Sequence, residues 1–184
     1  MNNKLVSKKL ITESDMRDYE LIKESGADGS TILKLAGPFA VAETLNNNNR
    51  KYYLDEMVEE CRKFQEVINN HRALSELEHP DDININPDRV CARITKYYQD
   101  PHDEKTFLGE AIIMGGDVKA GIPGTPCGTI VASLLQYGTK MGFSTRGLGN
   151  PIEDEDGNTY VGDYQLITID LVTDPSIGRF CDAK

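Results

Sequence analysis

Imidazole is scarce in this chain of 184 residues: its histidines are His71, His79 and His102. Histidine is the side chain whose ordinary pKa lies closest to neutrality, so general-base chemistry at that pH would start from one of the three. His71 follows Asn69-Asn70 at the end of a helical pattern, where a histidine commonly caps carbonyls. His102 lies in the charged turn Asp100-Pro101-His102-Asp103. His79 precedes Pro80, and proline disfavours the α region for the residue before it, so an extended His79 at the end of an element is expected. A base needs a nucleophile, and Phe143-Ser144-Thr145-Arg146-Gly147-Leu148-Gly149 sets a serine at a strand end. A serine hydroxyl becomes nucleophilic beside a base, and the reaction needs donors for a developing oxyanion. Backbone at Gly147 can present N–H groups closely, and Arg146 can add a charged donor. Each segment read alone also fits a plain turn or a structural loop histidine.

Other patterns fail on spacing. Asp82-x-Asn84-x-Asn86 begins like a calcium loop, but Pro87 replaces the required glycine and Arg93 stands where a bidentate glutamate belongs. The glycine-rich stretch Gly121 to Thr129 has no lysine before its threonine, so it is no phosphate-binding loop. Glu76-x-x-His79 is a single carboxylate–imidazole pair, whereas di-metal sites in bundles need two. Gly142-x-Ser144-x-x-Gly147 is not a nucleophile elbow, because Arg146 occupies a glycine position. Neither a metal nor a cofactor is expected.

The elements that must carry these residues can be outlined. Residues 1–28 are charged and weakly periodic, which reads as a mobile or weakly docked arm ahead of a single domain, 29–184. Thr31 to Thr44 is strand-like with a bend at Pro38, and the asparagines from Asn46 to Asn49 form a loop. Leu54, Met57, Val58, Cys61, Phe64, Val67 and Ile68 make one apolar stripe at helical spacing. Arg89 to Tyr98 and Thr106 to Met114 read as strands around a turn. A short helix is expected over Thr129 to Tyr137, with Ile130, Val131, Leu134 and Leu135 buried and Gly138 stopping it. Met141 to Thr145 reads as a short strand, Asp156-Gly157 as a hairpin turn, and Tyr164 to Val172 as a further strand. The sum is an α+β domain, with a closed or nearly closed antiparallel β-barrel-like core and two or three helices.

Composition narrows the partners. The net charge is −10 and the pI about 4.8, which argues against nucleic acid or an anionic membrane surface. No apolar run approaches the ~20 residues that cross a bilayer, and Met1 to Ser14 lacks the apolar stretch of a secretory signal. Cys61, Cys91, Cys127 and Cys181 show no C-x-x-C spacing, so a reduced, intracellular protein is expected.

Taken together, the blocks resemble the myovirus prohead core protease family. Ala73-Leu74-Ser75-Glu76-Leu77-Glu78-His79-Pro80 resembles its Leu-x-Glu-Leu-x-His-Pro block, and Gly142 to Gly149 its Gly-x-Ser-Ser-Arg-Gly-x-Gly block. Asn46-x-Asn48-x-Arg50-x-Tyr52 and Asp170-Leu171-Val172-Thr173-Asp174-Pro175-Ser176 match two further segments in order. Thr145 replaces the family's second serine, and Tyr53 a common proline. The resemblance implies a serine endopeptidase with a fold shared with herpesvirus assemblin, Ser144 as nucleophile and His79 as base. It implies cleavage after glutamate in Ile/Leu-x-Glu sites of phage scaffold or core proteins, capsid proteins and itself, inside an assembling prohead in the host bacterial cytoplasm. A homo-oligomer is left open. The rival reading is an inactive homologue serving as a scaffold or core protein.

Asp170 interrupts the apolar run Leu166-Ile167-Thr168-Ile169-Asp170-Leu171-Val172, so its carboxylate must be paired. It is the leading third member, with Glu76 and Asp174 behind it, and the alternative is a structural aspartate bonded to Arg146. Arg146 and Arg50 are candidates for recognising a substrate glutamate. Ile11-Thr12-Glu13 and Ile22-Lys23-Glu24, each followed by serine, are candidate self-cleavage sites in the expected arm.

Overall fold

The computed structural model describes residues 9–15, 19–26, 29–46, 48–155 and 157–173, the first of these ranges by chain path alone. Among the described residues, nine strands and two helices follow one another as β1 (Lys9–Asp15), β2 (Glu20–Ser25), β3 (Thr31–Val41), β4 (Arg50–Tyr52), α1 (Leu54–Asn69), β5 (Leu74–Glu76), β6 (Val90–Gln99), β7 (Thr106–Ile113), α2 (Pro126–Gln136), β8 (Gly142–Glu153) and β9 (Thr159–Val172). A 3-10 turn, Pro87–Arg89, precedes β6.

The fold is α+β, as expected. The described strands form two sheets, β1-β8-β9-β4 and β2-β3-β7-β6-β5, with no closed barrel among them. The pairing is antiparallel except for β4 beside β9, whose register runs Arg50↔Thr159 to Tyr52↔Val161. The sheets meet through aromatics that the 2-residue period sends inward. Phe143 of β8 lies 4.1 Å from Phe39 of β3, ring centre to ring centre, and Phe39 stacks near Tyr97 of β6. The helical stripe of α1 closes one side, burying Met57, Cys61, Phe64 and Ile68.

Two features place the functional residues. The long hairpin β8–β9, joined through residues 154–158, brings Ser144 level with Asp170 and Arg146 level with Thr168. β5, at an edge of the second sheet, is stitched to β9 of the first. Leu77 bridges Leu171, Glu78 N–H donates to Leu171 O at 2.9 Å, and Thr168 Oγ1 donates to Leu74 O at 2.6 Å. The chain leaving β5 therefore passes beside Asp170. Glu78 takes a left-handed φ of 62° there, and its carboxylate accepts from Thr173 N and Oγ1.

Several expectations are corrected. Within 1–28, expected as a mobile or weakly docked arm, β1 pairs with β8 and β2 with β3. Both are outer strands of their sheets, where charged side chains suit a solvent-facing edge that must not recruit other chains, so their composition resembles that of a free arm. Tyr19 ties this segment down: its hydroxyl donates to Pro38 O at 2.5 Å and accepts from Phe143 N at 3.0 Å. α2 starts before Thr129, because Thr125 caps it by accepting from Gly128 N and Pro126 is preorganised for the first turn. Ile130 on α2 is exposed, not buried. β8 continues beyond Arg146 to Glu153. The bend in β3 falls where expected, as a register shift between Pro38 and Ala40.

Candidate active site

Ser144, His79 and Asp170 come from three elements and form one hydrogen-bonded line. His79 Nε2 lies 2.5 Å from Ser144 Oγ, and His79 Nδ1 lies 3.1 Å from Asp170 Oδ2. Ser144 and Asp170 are register partners on β8 and β9, so strand pairing sets their separation, and the imidazole spans them from the loop after β5. With Nδ1–H donating to the carboxylate, Nε2 is left as the acceptor for the serine proton, the tautomer that general-base catalysis requires. His71 and His102 are exposed and play no part.

Behind this line lies a charge cluster withdrawn from solvent. Arg146, Glu76 and Asp170 are each 0% exposed. Arg146 reaches Asp170 with Nη2 at 3.2 Å from Oδ1 and Nε at 2.8 Å from Oδ2. The second is an ion-pair contact and not an aligned hydrogen bond, since that N–H meets no acceptor at a suitable angle. Arg146 Nη2 also donates to Glu76 Oε2, and Nη1 to the carbonyl of Asp82 at 2.5 Å. Glu76 Oε1 accepts from Asn86 N at 3.1 Å, and Glu76 N–H is 3.3 Å from Asp170 Oδ1. Burying a charge is costly unless it is paired and hydrogen-bonded, and each member here is. Arg89 adds a second cation to the cluster, its Nε 3.9 Å from Glu76 Oε1.

Asp170 therefore fits both readings of the sequence, bonded to His79 on one side and to Arg146 on the other. Arg146 does not fit its expected role, because its guanidinium is spent on Asp170, Glu76 and the Asp82 carbonyl. Gly147 lies three positions beyond Ser144, about 10 Å along the strand. Its lack of a side chain serves packing, for a Cβ there would sit 2.5 Å from the Tyr164 ring and 2.6 Å from Gln165 O. Arg50 is remote: it pairs with Thr159, eleven positions before Asp170 on β9, roughly 35 Å at strand spacing. Glu13 and Glu24 lie within β1 and β2, opposite Thr145 and Ile32, so neither sits on a free arm. Asp174 lies outside the described residues. The Glu76–Arg146 pairing and the Asp82 carbonyl went unread in the sequence. The one signal was a glutamate between Leu74 and Leu77, an apolar setting in which a carboxylate needs a cation.

Ser144 is 0% exposed, while the His79 side chain is 26% exposed. The imidazole faces outward and the hydroxyl lies beneath it.

A serine hydroxyl, an imidazole and a carboxylate in this order on a β-rich α+β fold define a serine hydrolase. The chain matches the family described as prohead core protein serine protease over residues 5–180, and it belongs to that family. It is a serine peptidase. Its fold is similar to a solved structure of the bacteriophage T4 capsid assembly protease, gp21, with a TM-score of 0.78 and 24% identity over 90% of this chain and 98% of that one. No curated protein matches the chain.

Proposed function

We propose that the protein is an endopeptidase of phage prohead maturation in which Ser144 is the nucleophile, His79 the base and Asp170 the group that orients it. The observation that carries this reading is the Ser144–His79–Asp170 line, with separations of 2.5 and 3.1 Å. Ser144 Oγ attacks the scissile carbonyl as its proton passes to His79 Nε2. The tetrahedral intermediate collapses to an acyl-enzyme when the same proton is given to the leaving amine. Water then repeats the sequence, releasing the acid and regenerating Ser144. Asp170 keeps the tautomer and stabilises the imidazolium without taking the proton.

The substrates, on this reading, are the scaffold or core and capsid proteins of the phage, cut after glutamate within Ile/Leu-x-Glu while the prohead assembles in the bacterial cytoplasm. The T4 relative, a capsid assembly protease by name, supports that setting. Self-cleavage after Glu24 would require β2 to open first, because it is paired to β3 and not to the strand of Ser144, whereas Glu13 lies on β1, opposite Thr145 and beside Ser144.

The test is reaction with a fluorophosphonate probe followed by peptide mass spectrometry. The expected result is a single adduct on Ser144, lost in Ser144→Ala. An unreactive protein that nevertheless enters proheads would be an assembly component without catalysis.

A further inference from the structure

The nucleophile proposed above is buried, and the chain itself lies against it. Ser144 is 0% exposed. β8 has two hydrogen-bonding edges at this point. One is held by β9, with Asp170 opposite Ser144. The other is held by β1, whose register runs Ser14↔Ser144, Glu13↔Thr145 and Thr12↔Arg146. Peptidases bind substrates extended, and an extended peptide gains most of its affinity by adding a strand to a free sheet edge. Here the edge that carries Ser144 has no vacancy.

We propose that β1 is a removable cover: it occupies the edge of β8 along which an extended substrate peptide pairs, and the site opens when β1 leaves. The incoming segment would run in the same direction as β1, antiparallel to β8, with the residue in Ser14's place level with Ser144. The proposal rests on Ser144 as nucleophile and adds where the substrate's backbone docks and what competes for that place.

The two neighbours of β8 differ in how firmly they are held. β9 is a central strand of fourteen residues, paired to β8 on one side and to β4 on the other, and stitched to β5. β1 is an outer strand of seven residues with β8 as its single partner in the sheet. Outer strands with one row of backbone hydrogen bonds open at much lower cost than central ones. The tether on the far side is Tyr19, fixed by Pro38 O and Phe143 N, with its ring 5.7 Å from that of Phe143. β1 can therefore lift away from β8 without disturbing the core contact that follows it. A tethered strand competes at an effective concentration in the millimolar range, so a free peptide at lower concentration meets an edge that is mostly taken.

The experiment compares the full chain with a chain that begins at Tyr19 after an initiator methionine. Both are assayed for the rate of fluorophosphonate labelling at Ser144 and for kcat/KM on a peptide substrate. A fluorescein-labelled peptide of residues 5–18 is then titrated into Ser144→Ala forms of both. The shortened chain should label and cleave about tenfold faster or more. It should also bind the peptide, which raises KM without lowering kcat, whereas the full chain should not bind it. Should truncation unfold the protein, the full-length double variant Ile11→Pro, Thr12→Pro serves instead. One of two adjacent N–H groups faces β8, so this pair breaks the row, and the same rise is expected. Equal labelling rates in the full and opened forms, with no peptide binding, would overturn the proposal. Peptide binding by the opened form without labelling or cleavage would uphold the docking edge and instead refute Ser144 as nucleophile.

Discussion

Ser144 and Asp170 sit opposite each other on adjacent strands, and His79, from the loop after β5, bridges them. Antiparallel partners stand about 5 Å apart at Cα whatever their side chains do. The hairpin thus fixes the two ends of the line, and the β5–β9 stitch fixes its middle.

Removing either end of the proton path should stop catalysis. Ser144→Ala and His79→Ala should each lower kcat by about 10^4-fold or more, with the double variant little worse than either. Neither change breaks the Arg146–Asp170–Glu76 cluster, so thermal midpoints should stay within a few degrees of the parent. Retention of a tenth of the activity by either single variant would reject the pair.

Asp170→Asn tests two roles at once. The amide favours the wrong imidazole tautomer, and a loss of about 10^4-fold in kcat is expected. It also removes a carboxylate from Arg146, so the thermal midpoint should fall as well. A drop in stability with kcat preserved would make Asp170 purely structural.

Arg146→Met should be more damaging to folding than to any binding step. It would leave Asp170 buried without its cation and Glu76 with the more distant Arg89 at 3.9 Å, and breaking a buried ion pair in this way costs about 3–5 kcal/mol. Adding Glu76→Leu to Arg146→Met should recover part of that loss in urea denaturation. If Arg146→Met is as stable as the parent and fails only in substrate affinity, the guanidinium is a substrate ligand after all.

Thiol chemistry should follow burial. Desolvation pushes the Cys61 thiol up to about 11 and, as the largest of several influences, the Cys91 thiol to about 12. The thiolate is the reactive form, so a maleimide at pH 7 should label Cys127 while sparing Cys61 and Cys91 until the protein is unfolded. Peptide mapping after brief labelling checks this, and early modification of Cys91 would contradict the buried β6.

Glu110 on β7 should contribute to acid sensitivity. Burial is the largest single influence and pushes its pKa up. Hydrogen bonds from Lys96 and Thr95 and the charge of Lys34 outweigh it, leaving the carboxyl below its ordinary 4.5. A depressed folded-state pKa stabilises above the unfolded value and is lost as pH falls through the folded one. Glu110→Gln should therefore lower the urea midpoint at pH 7 and lower it by less at pH 3. Equal losses at both pH values would show that its charge is irrelevant.

The amino-acid sequence by itself determined the parts whose information is local. The α1 stripe, the bend at Pro38 and the hairpin turn before β9 follow from periodicity and turn chemistry within a few neighbouring residues. His79, Ser144 and Asp170 were legible because each breaks its surroundings: a histidine before proline, a serine before Arg-Gly, a carboxylate inside an apolar run. Tertiary structure alone decided what those residues face. That Arg146 is spent on Asp170 and Glu76, that Arg50 lies far along β9 and that β1 covers the edge beside Ser144 all depend on which strands pair, and in what register. Pairing is a contact between residues distant in the chain, and it leaves little local trace, least of all in a charged outer strand held by a single row of backbone hydrogen bonds.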